Sequence, residues 1–266
     1  MPDSLYIAAT GMQAQQMNVD TIANNLANTN TVAFKKGRIS FTDLMVQESA
    51  RVGMSGTDRA ADSGTAAGAS MMGNGVGISS SSKIFDAGGV TQTGSEWDVA
   101  IQGDGFFRVT LADGSTAYTR GGTLKVNAEG QLTTDTGLAL QPAISVPANV
   151  GSISIGADGT VTATVAGQTK TSQLGQLQLT RFANTGALSA QGDNLYVTTE
   201  AAGSSTQGNP GADGLGSLQQ GYLEGSNVKM VDEMVNLVIA QRAYEASSKI
   251  VQASDEMMQM VNNLRR

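Results

Sequence analysis

Apolar residues change rhythm twice along this 266-residue chain. Near the N-terminus they recur at Leu5, Ala8, Met12, Val19, Ile22 and Leu26, in steps of 3, 4, 7, 3 and 4, with Gln15 at the skipped position. A repeat of about 3.5 residues is the seam of a helix that supercoils against another. Asp3 or Ser4 fits its N-cap, and Asn28 or Asn30 a left-handed stop. The rhythm returns from Val235 and Ile239 through Ala243, Ala246, Ile250, Ala253, Met257, Met260 and Leu264. It predicts a second helix over about 228–264, capped by Ser226 or Asn227. Asp232 and Glu233 lie near its positive dipole end, and Arg265 and Arg266 at its negative end.

Between residues 84 and 200 the period drops to two. Asp113-Gly114 separates Phe106–Leu111 from Thr116–Thr119, Glu129-Gly130 separates Thr123–Val126 from Gln131–Thr134, and Asp158-Gly159 separates Ser152–Ile155 from Thr160–Val165. Each is a hairpin signal, because Gly supplies the positive φ that tight turns need. Residues 49–82 and 201–217 follow neither rhythm. Of the 34 residues in 49–82, 23 are Gly, Ala, Ser or Thr, too little apolar area to fold independently. The expected fold is therefore α+β. A discontinuous domain of 1–48 plus 222–266 holds the long N- and C-terminal helices, which pair as a coiled coil, and a mainly-β, hairpin-rich domain fills 84–200. An extended linker at 49–83 and a return linker at 201–221 join the two.

Composition narrows the chemistry. The chain has no histidine and no cysteine, which excludes His-based triads, imidazole metal sites, disulfides, thiolate nucleophiles and cysteine-ligated clusters. With 16 Lys+Arg against 23 Asp+Glu, the net charge of −7 disfavours nucleic acid or an anionic membrane as main partner. Asp3 and Asp20 are the only charged residues in the first 34, and no basic n-region precedes an unbroken apolar run. No run approaches the 18 apolar residues of a membrane span, so the expectation is a soluble chain, or one leaving the cytosol without a classical signal. No cofactor or metal site is expected.

The best enzymatic candidates are Glu96, Asp98 and Asp104, since glycoside hydrolysis needs two carboxyls at a defined separation. Turn and strand-edge chemistry accounts for them equally well, Asp104-Gly105 above all. Gly73, Gly75 and Gly77 match neither phosphate-loop pattern. The terminal stripes carry the stronger signal. Either could be the core-facing side of a helix covering its own domain. However, the stripes flank a β middle that buries its own face, and they are rich in Ala and Met. Fully burying a large apolar side chain contributes only about 1.5–3 kcal/mol, little against the ordering entropy of two long helices. Such helices need further partners, and copies of the same chain are the simplest.

Asn24-Asn25-Leu26-Ala27-Asn28-Thr29-Asn30-Thr31-Val32-Ala33-Phe34-Lys35 resembles the N-terminal signature of the bacterial flagellar rod and hook axial proteins, with Ala33 where that signature usually has Gly. Gly103-Asp104-Gly105-Phe106-Phe107, Tyr118-Thr119-Arg120, Gln220-Gly221-Tyr222-Leu223-Glu224, Ser226-Asn227-Val228 and Gln241-Arg242-Ala243-Tyr244-Glu245 are similar to later motifs of the same family. The single β domain and the stretch from Gln141 to Thr160 most resemble distal-rod members. A hook or proximal-rod subunit is the nearer alternative, and a secreted carbohydrate-binding or carbohydrate-active β protein the more distant one.

The resemblance implies a non-enzymatic structural subunit, exported unfolded by the flagellar type III apparatus without a cleaved signal. It would polymerise into a rigid helical tube in the periplasm-spanning basal body and transmit motor torque. The implied partners are the chain itself, proximal rod and hook proteins, and the P- and L-ring proteins around the shaft. Leu5, Met12, Val19, Ile22, Leu26, Val235, Ile239, Ile250, Met257, Met260 and Leu264 are the expected self-assembly interface. Asn24, Asn25, Asn28, Phe34, Lys35, Phe106, Phe107, Tyr118, Tyr222, Asn227, Arg242 and Tyr244 are the expected structural motif residues.

Overall fold

A computed structural model describes residues 2–47, 71–147, 149–165 and 171–264. The chain divides into two compact units, one drawn from Met1–Ile22, Ile39–Ser81 and Val235–Arg266, the other from Ala23–Arg38 and Ser82–Met234.

Both long helices form, α1 over Pro2–Ala27 and α2 over Met230–Asn263. At 1.5 Å per residue they are about 39 and 51 Å long. They run antiparallel: a Cβ placed on Gly11 would lie 3.7 Å from the Ser247 hydroxyl, and the Asn25 amide lies 3.4 Å from the Glu233 carboxylate. Neither expected asparagine stop is left-handed. The positive φ falls on Ala33, at 56°, the position where a Gly would be unstrained. Nor does Asn227 cap α2. Ser226 does not cap it either: its hydroxyl accepts the Val228 N–H at 3.2 Å, ahead of the helix start at Met230, and Asn227 is used elsewhere.

Residues 28–48, expected within the helical domain, contain a turn and the strand β1 (Gly37–Gln47). β1 pairs with β2 (Met71–Lys83), so the Gly/Ser-rich end of the expected linker is a strand. Pairing satisfies backbone N–H and C=O groups whatever the side chains, which is why composition hid this ribbon. The rest of that linker, 49–70, lies outside the described residues.

The second unit is built from short strands: β3 (Val90–Gln92), β4 (Val99–Gln102), β5 (Phe106–Thr110), β6 (Thr116–Thr119), β7 (Leu124–Val126), β8 (Leu132–Thr134) and β9 (Ala139–Gln141). They continue as β10 (Val150–Ile155), β11 (Thr160–Val165), β12 (Thr171–Gln176), β13 (Leu179–Phe182), β14 (Ser189–Gly192) and β15 (Leu195–Val197). β16 (Ser205–Gly208), β17 (Ser217–Gln220) and β18 (Tyr222–Glu224) complete the set. Seven strands follow the order β14-β15-β6-β5-β9-β8-β7, with β13 joined to both β5 and β16; β10-β11-β12 form a separate sheet. The three hairpin glycines Gly114, Gly130 and Gly159 all take positive φ. The return linker proves to be structural: β16 pairs with β13, β17 with β4, and β18 with β3.

Two cores result. Ile153, Ile155, Val161 and Ala163 of the three-stranded sheet pack with Val99, Phe107, Val109, Leu124, Leu140 and Leu179, and Trp97 lies against them. A smaller aromatic core gathers Phe106, Tyr118, Phe182 and Tyr196 with Phe85. Adjacent strand residues point to opposite faces, so Phe106 and Phe107 each fill a different core.

Candidate functional site: a buried charge centre and an exposed apolar face

Three sequence motifs meet at one carboxylate. Glu224, on β18, accepts hydrogen bonds from Lys35 Nζ at 2.7 Å, the Gly88 N–H at 2.9 Å and Arg120 Nε at 2.7 Å. Both cations are buried along with it. Lys35 also donates to the Asp86 carbonyl at 2.7 Å, and Arg120 to the Gly103 and Gly105 carbonyls at 3.0 Å. Gly103, at φ 111°, and Gly105, at φ 145°, turn those carbonyls toward the guanidinium, which gives the Gly-Asp-Gly motif a physical role.

Burial would push the Glu224 carboxyl up, but Arg120 and Lys35 together outweigh it and hold it below the usual carboxylate range. Lys35 moves down, because burial outweighs its attraction to Glu224. The Tyr196 phenol nearby is pushed up to about 12, chiefly by burial.

Two asparagines bracket this centre. The Asn25 side chain accepts the Gly37 N–H at 2.8 Å and donates to its carbonyl at 3.0 Å. Asn227 accepts the Lys36 N–H at 2.8 Å and donates to the Ile84 carbonyl at 2.8 Å. The amide side chains thus take over backbone pairing where no strand continues. Phe34 is buried under the Lys83 ammonium, 4.4 Å from its ring centroid. Tyr222 is half-buried on β18, and Tyr118 stacks edge-on against Phe182 at 4.8 Å. Arg242 and Tyr244 stand on the exposed side of α2, Arg242 pairing with Glu245 at 3.2 Å.

The helices distribute the expected interface unequally. On α1, Ile22 is buried and Leu5, Met12, Val19 and Leu26 are half-buried. On α2, Val235, Ile239, Ile250, Met257, Met260 and Leu264 are all exposed, Ile239 by 61% and Leu264 by 87%. The inward stripe of α2 is instead Glu233, Leu237, Ala240, Ser247, Val251 and Ser254. On this face the Ser247 hydroxyl lies 3.7 Å from where a Cβ on Gly11 would stand, ordinary contact distance. The large-residue stripe that periodicity picks out stays exposed, and a coiled-coil pairing through it is not seen among the described residues.

The candidate carboxylates have separate structural partners. Glu96 accepts the Ile153 N–H at 3.3 Å, Asp98 accepts the Thr93 hydroxyl at 2.6 Å, and Asp104 lies 4.0 Å from Arg181 on the surface. Reasoning from sequence missed Arg120 and Glu224 as functional residues. The signal was two lone charges inside otherwise apolar strand motifs, Tyr118-Thr119-Arg120 and Tyr222-Leu223-Glu224. Buried charges of this kind are paired.

Among the described residues, the large apolar side chains of the α2 stripe stay exposed, which is the build of an assembly subunit. Family models agree. Residues 5–35 match the flagella basal body rod protein model, 100–163 the flagellar hook protein FlgE/F/G D1 domain, and 219–264 the flagellar basal body rod FlgEFG protein C-terminal model. The flagellar basal-body rod protein FlgG of Buchnera aphidicola subsp. Schizaphis graminum is 43% identical over 264 residues, covering 99% of this chain and all of that one. That of Borreliella burgdorferi is 42% identical over the full length of both chains. The flagellar basal-body rod protein FlgF of Caulobacter vibrioides is 32% identical over 97% of this chain and 95% of its own. The chain belongs to the flagellar basal-body rod protein family.

Proposed function

We propose that the chain is a subunit of the distal flagellar rod that polymerises through its terminal helices into a rigid, torque-bearing tube. The exposed stripe of α2, from Val231 through Val235, Ile239, Met257 and Met260 to Leu264, carries this reading. Fully burying even six such side chains contributes on the order of 10 kcal/mol before ordering costs. A heterologous contact that does not close then yields an open helical filament. In that filament the helices of neighbouring copies supply the coiled-coil partners that α1 and α2 do not give each other through these residues. Proximal rod and hook proteins at the two ends, P- and L-ring proteins outside, and the flagellar export apparatus beforehand complete the proposed partners. The location is the basal body.

Electron microscopy and sedimentation of the purified full chain test this. Wild type forms straight tubes. Ile239→Asp, on the exposed face, abolishes them while Trp97 fluorescence stays native. Normal tubes from Ile239→Asp would overturn the reading, and curved tubes would favour a hook subunit.

A further inference from the structure

The chain has 12 methionines and no cysteine, so thioethers are its only oxidisable sulfur. Five of these methionines stand on α2, and all five are exposed, by 41% to 58%. Met230 and Met234 lie one helical turn apart near its start, and Met257 and Met260 one turn apart near its end, with Met258 between them. Val231, Val235 and Ile239 adjoin the first pair on the outer surface, and Val261 and Leu264 the second. Oxidation of a methionine follows the exposure of its sulfur, and in the free subunit these sulfurs are open to solvent.

The chemistry needs only a peroxide. One oxygen atom passes to the thioether, which gives up two electrons; an S–O bond forms, the O–O bond breaks, and water leaves. The product is a sulfoxide, polar where the thioether was apolar. Its oxygen is a hydrogen-bond acceptor, and the Val, Ile and Leu side chains beside it offer no donor. Burying such a group unpaired opposes the contact that the thioether favours.

We propose that Met230, Met234, Met257, Met258 and Met260 form an oxidation site that gates assembly: the thioethers permit polymerisation, and their sulfoxides block it until a sulfoxide reductase removes the oxygen. That reverse step consumes two thiols, which leave as a disulfide while the oxygen leaves as water. The thiols come from an external reductant, because this chain has none. The inference rests on the polymerisation reading above and adds a chemical control to it. The polymer then shields the sulfurs that gate its growth.

Graded hydrogen peroxide treatment of the free full-length chain, followed by assembly, sedimentation and peptide mass spectrometry of both fractions, tests it. Sulfoxides on α2 collect in the supernatant and are depleted from the pellet. Oxidation at both ends of the helix raises the critical concentration roughly tenfold or more. Methionine sulfoxide reductases of both epimer specificities, with dithiothreitol, bring it back. Circular dichroism and Trp97 fluorescence stay those of the untreated chain, and polymer formed beforehand is oxidised at these positions more slowly than the free subunit. Equal α2 sulfoxide in pellet and supernatant, or loss of helix on oxidation, would sink the gate, while a block by Ile239→Asp would leave the polymerisation reading standing. Normal tubes from Ile239→Asp, or an untreated chain that forms none, would remove both.

Discussion

Replacing Glu224 with alanine removes the one carboxylate that Lys35 and Arg120 share, each 2.7 Å from it and each almost fully buried. Two opposite charges about 4 Å apart attract by about 4 kcal/mol at an effective dielectric near 20, and desolvation has already consumed much of that gain in the wild type. What the variant registers is chiefly two cations left without counter-charge. Breaking one buried pair by deleting a partner costs about 3–5 kcal/mol. With a second cation stranded, the loss should reach the top of that range, a large share of the roughly 5–15 kcal/mol that holds an ordinary domain together.

Lys35→Met makes the matched comparison. It leaves the Arg120–Glu224 pair intact, the Asp86 carbonyl keeps the Asn227 amide and Glu224 keeps the Gly88 N–H, so about 1–3 kcal/mol is expected from the lost charged hydrogen bonds. Urea unfolding followed through Trp97, the single tryptophan, reads both, because that side chain packs on the core of the same unit. With a slope of about 1–3 kcal/mol per molar urea, the Glu224→Ala midpoint falls by on the order of 2 M. A Glu224→Ala midpoint within the error of wild type, or a Lys35→Met loss as large as that of Glu224→Ala, would refute the shared-carboxylate account.

Two further predictions concern the same centre. Because Glu224 is held below the ordinary carboxyl range when folded, the unfolded chain binds more protons in the acid window. Its stabilising contribution is complete above the unfolded pKa and fades as pH falls through the folded one, so the urea-midpoint gap between wild type and Glu224→Gln should shrink on acidification; a constant gap would contradict it. Gly88→Ala should destabilise by about 1–3 kcal/mol, since its Cβ would collide with the Gly225 carbonyl oxygen next to Glu224. Gly89→Ala, whose Cβ meets nothing within 4 Å, is the control, and equal midpoints for the two variants would count against the close approach.

Local patterns revealed the elements better than their neighbours. Hairpin turns and both helices were legible because Gly at positive φ and a 3.5-residue stripe are properties of short windows. The strands β2, β16 and β17 were not, because their Gly, Ser and Gln residues bury little apolar area and are held by backbone pairing across long sequence separations. The charge centre was hidden for the same reason. Lys35 and Glu224 are 189 residues apart, and nothing near either one announces the other. Only the requirement that a buried charge be paired could have linked them. It also means that residues 84–200 are not a complete domain: Arg120 lies inside that span while Glu224 and Lys35 lie outside it.

The α2 helix shows where periodicity stops being informative. Two stripes with heptad-like spacing share it, one of large apolar residues and one mixed, with Glu233 and Leu237 followed by Ala240, Ser247, Val251 and Ser254, and spacing alone cannot say which faces α1. Burial decides the matter: Ala240, Ser247, Val251 and Ser254 turn inward, and Val235, Ile239, Met257 and Met260 turn out. Had α1 met the large stripe, the pair would have consumed its own apolar surface and left little to drive association. Spending the small residues within the subunit keeps the large ones for contacts between subunits. The chain reads as assembly-competent for this reason more than for any single motif.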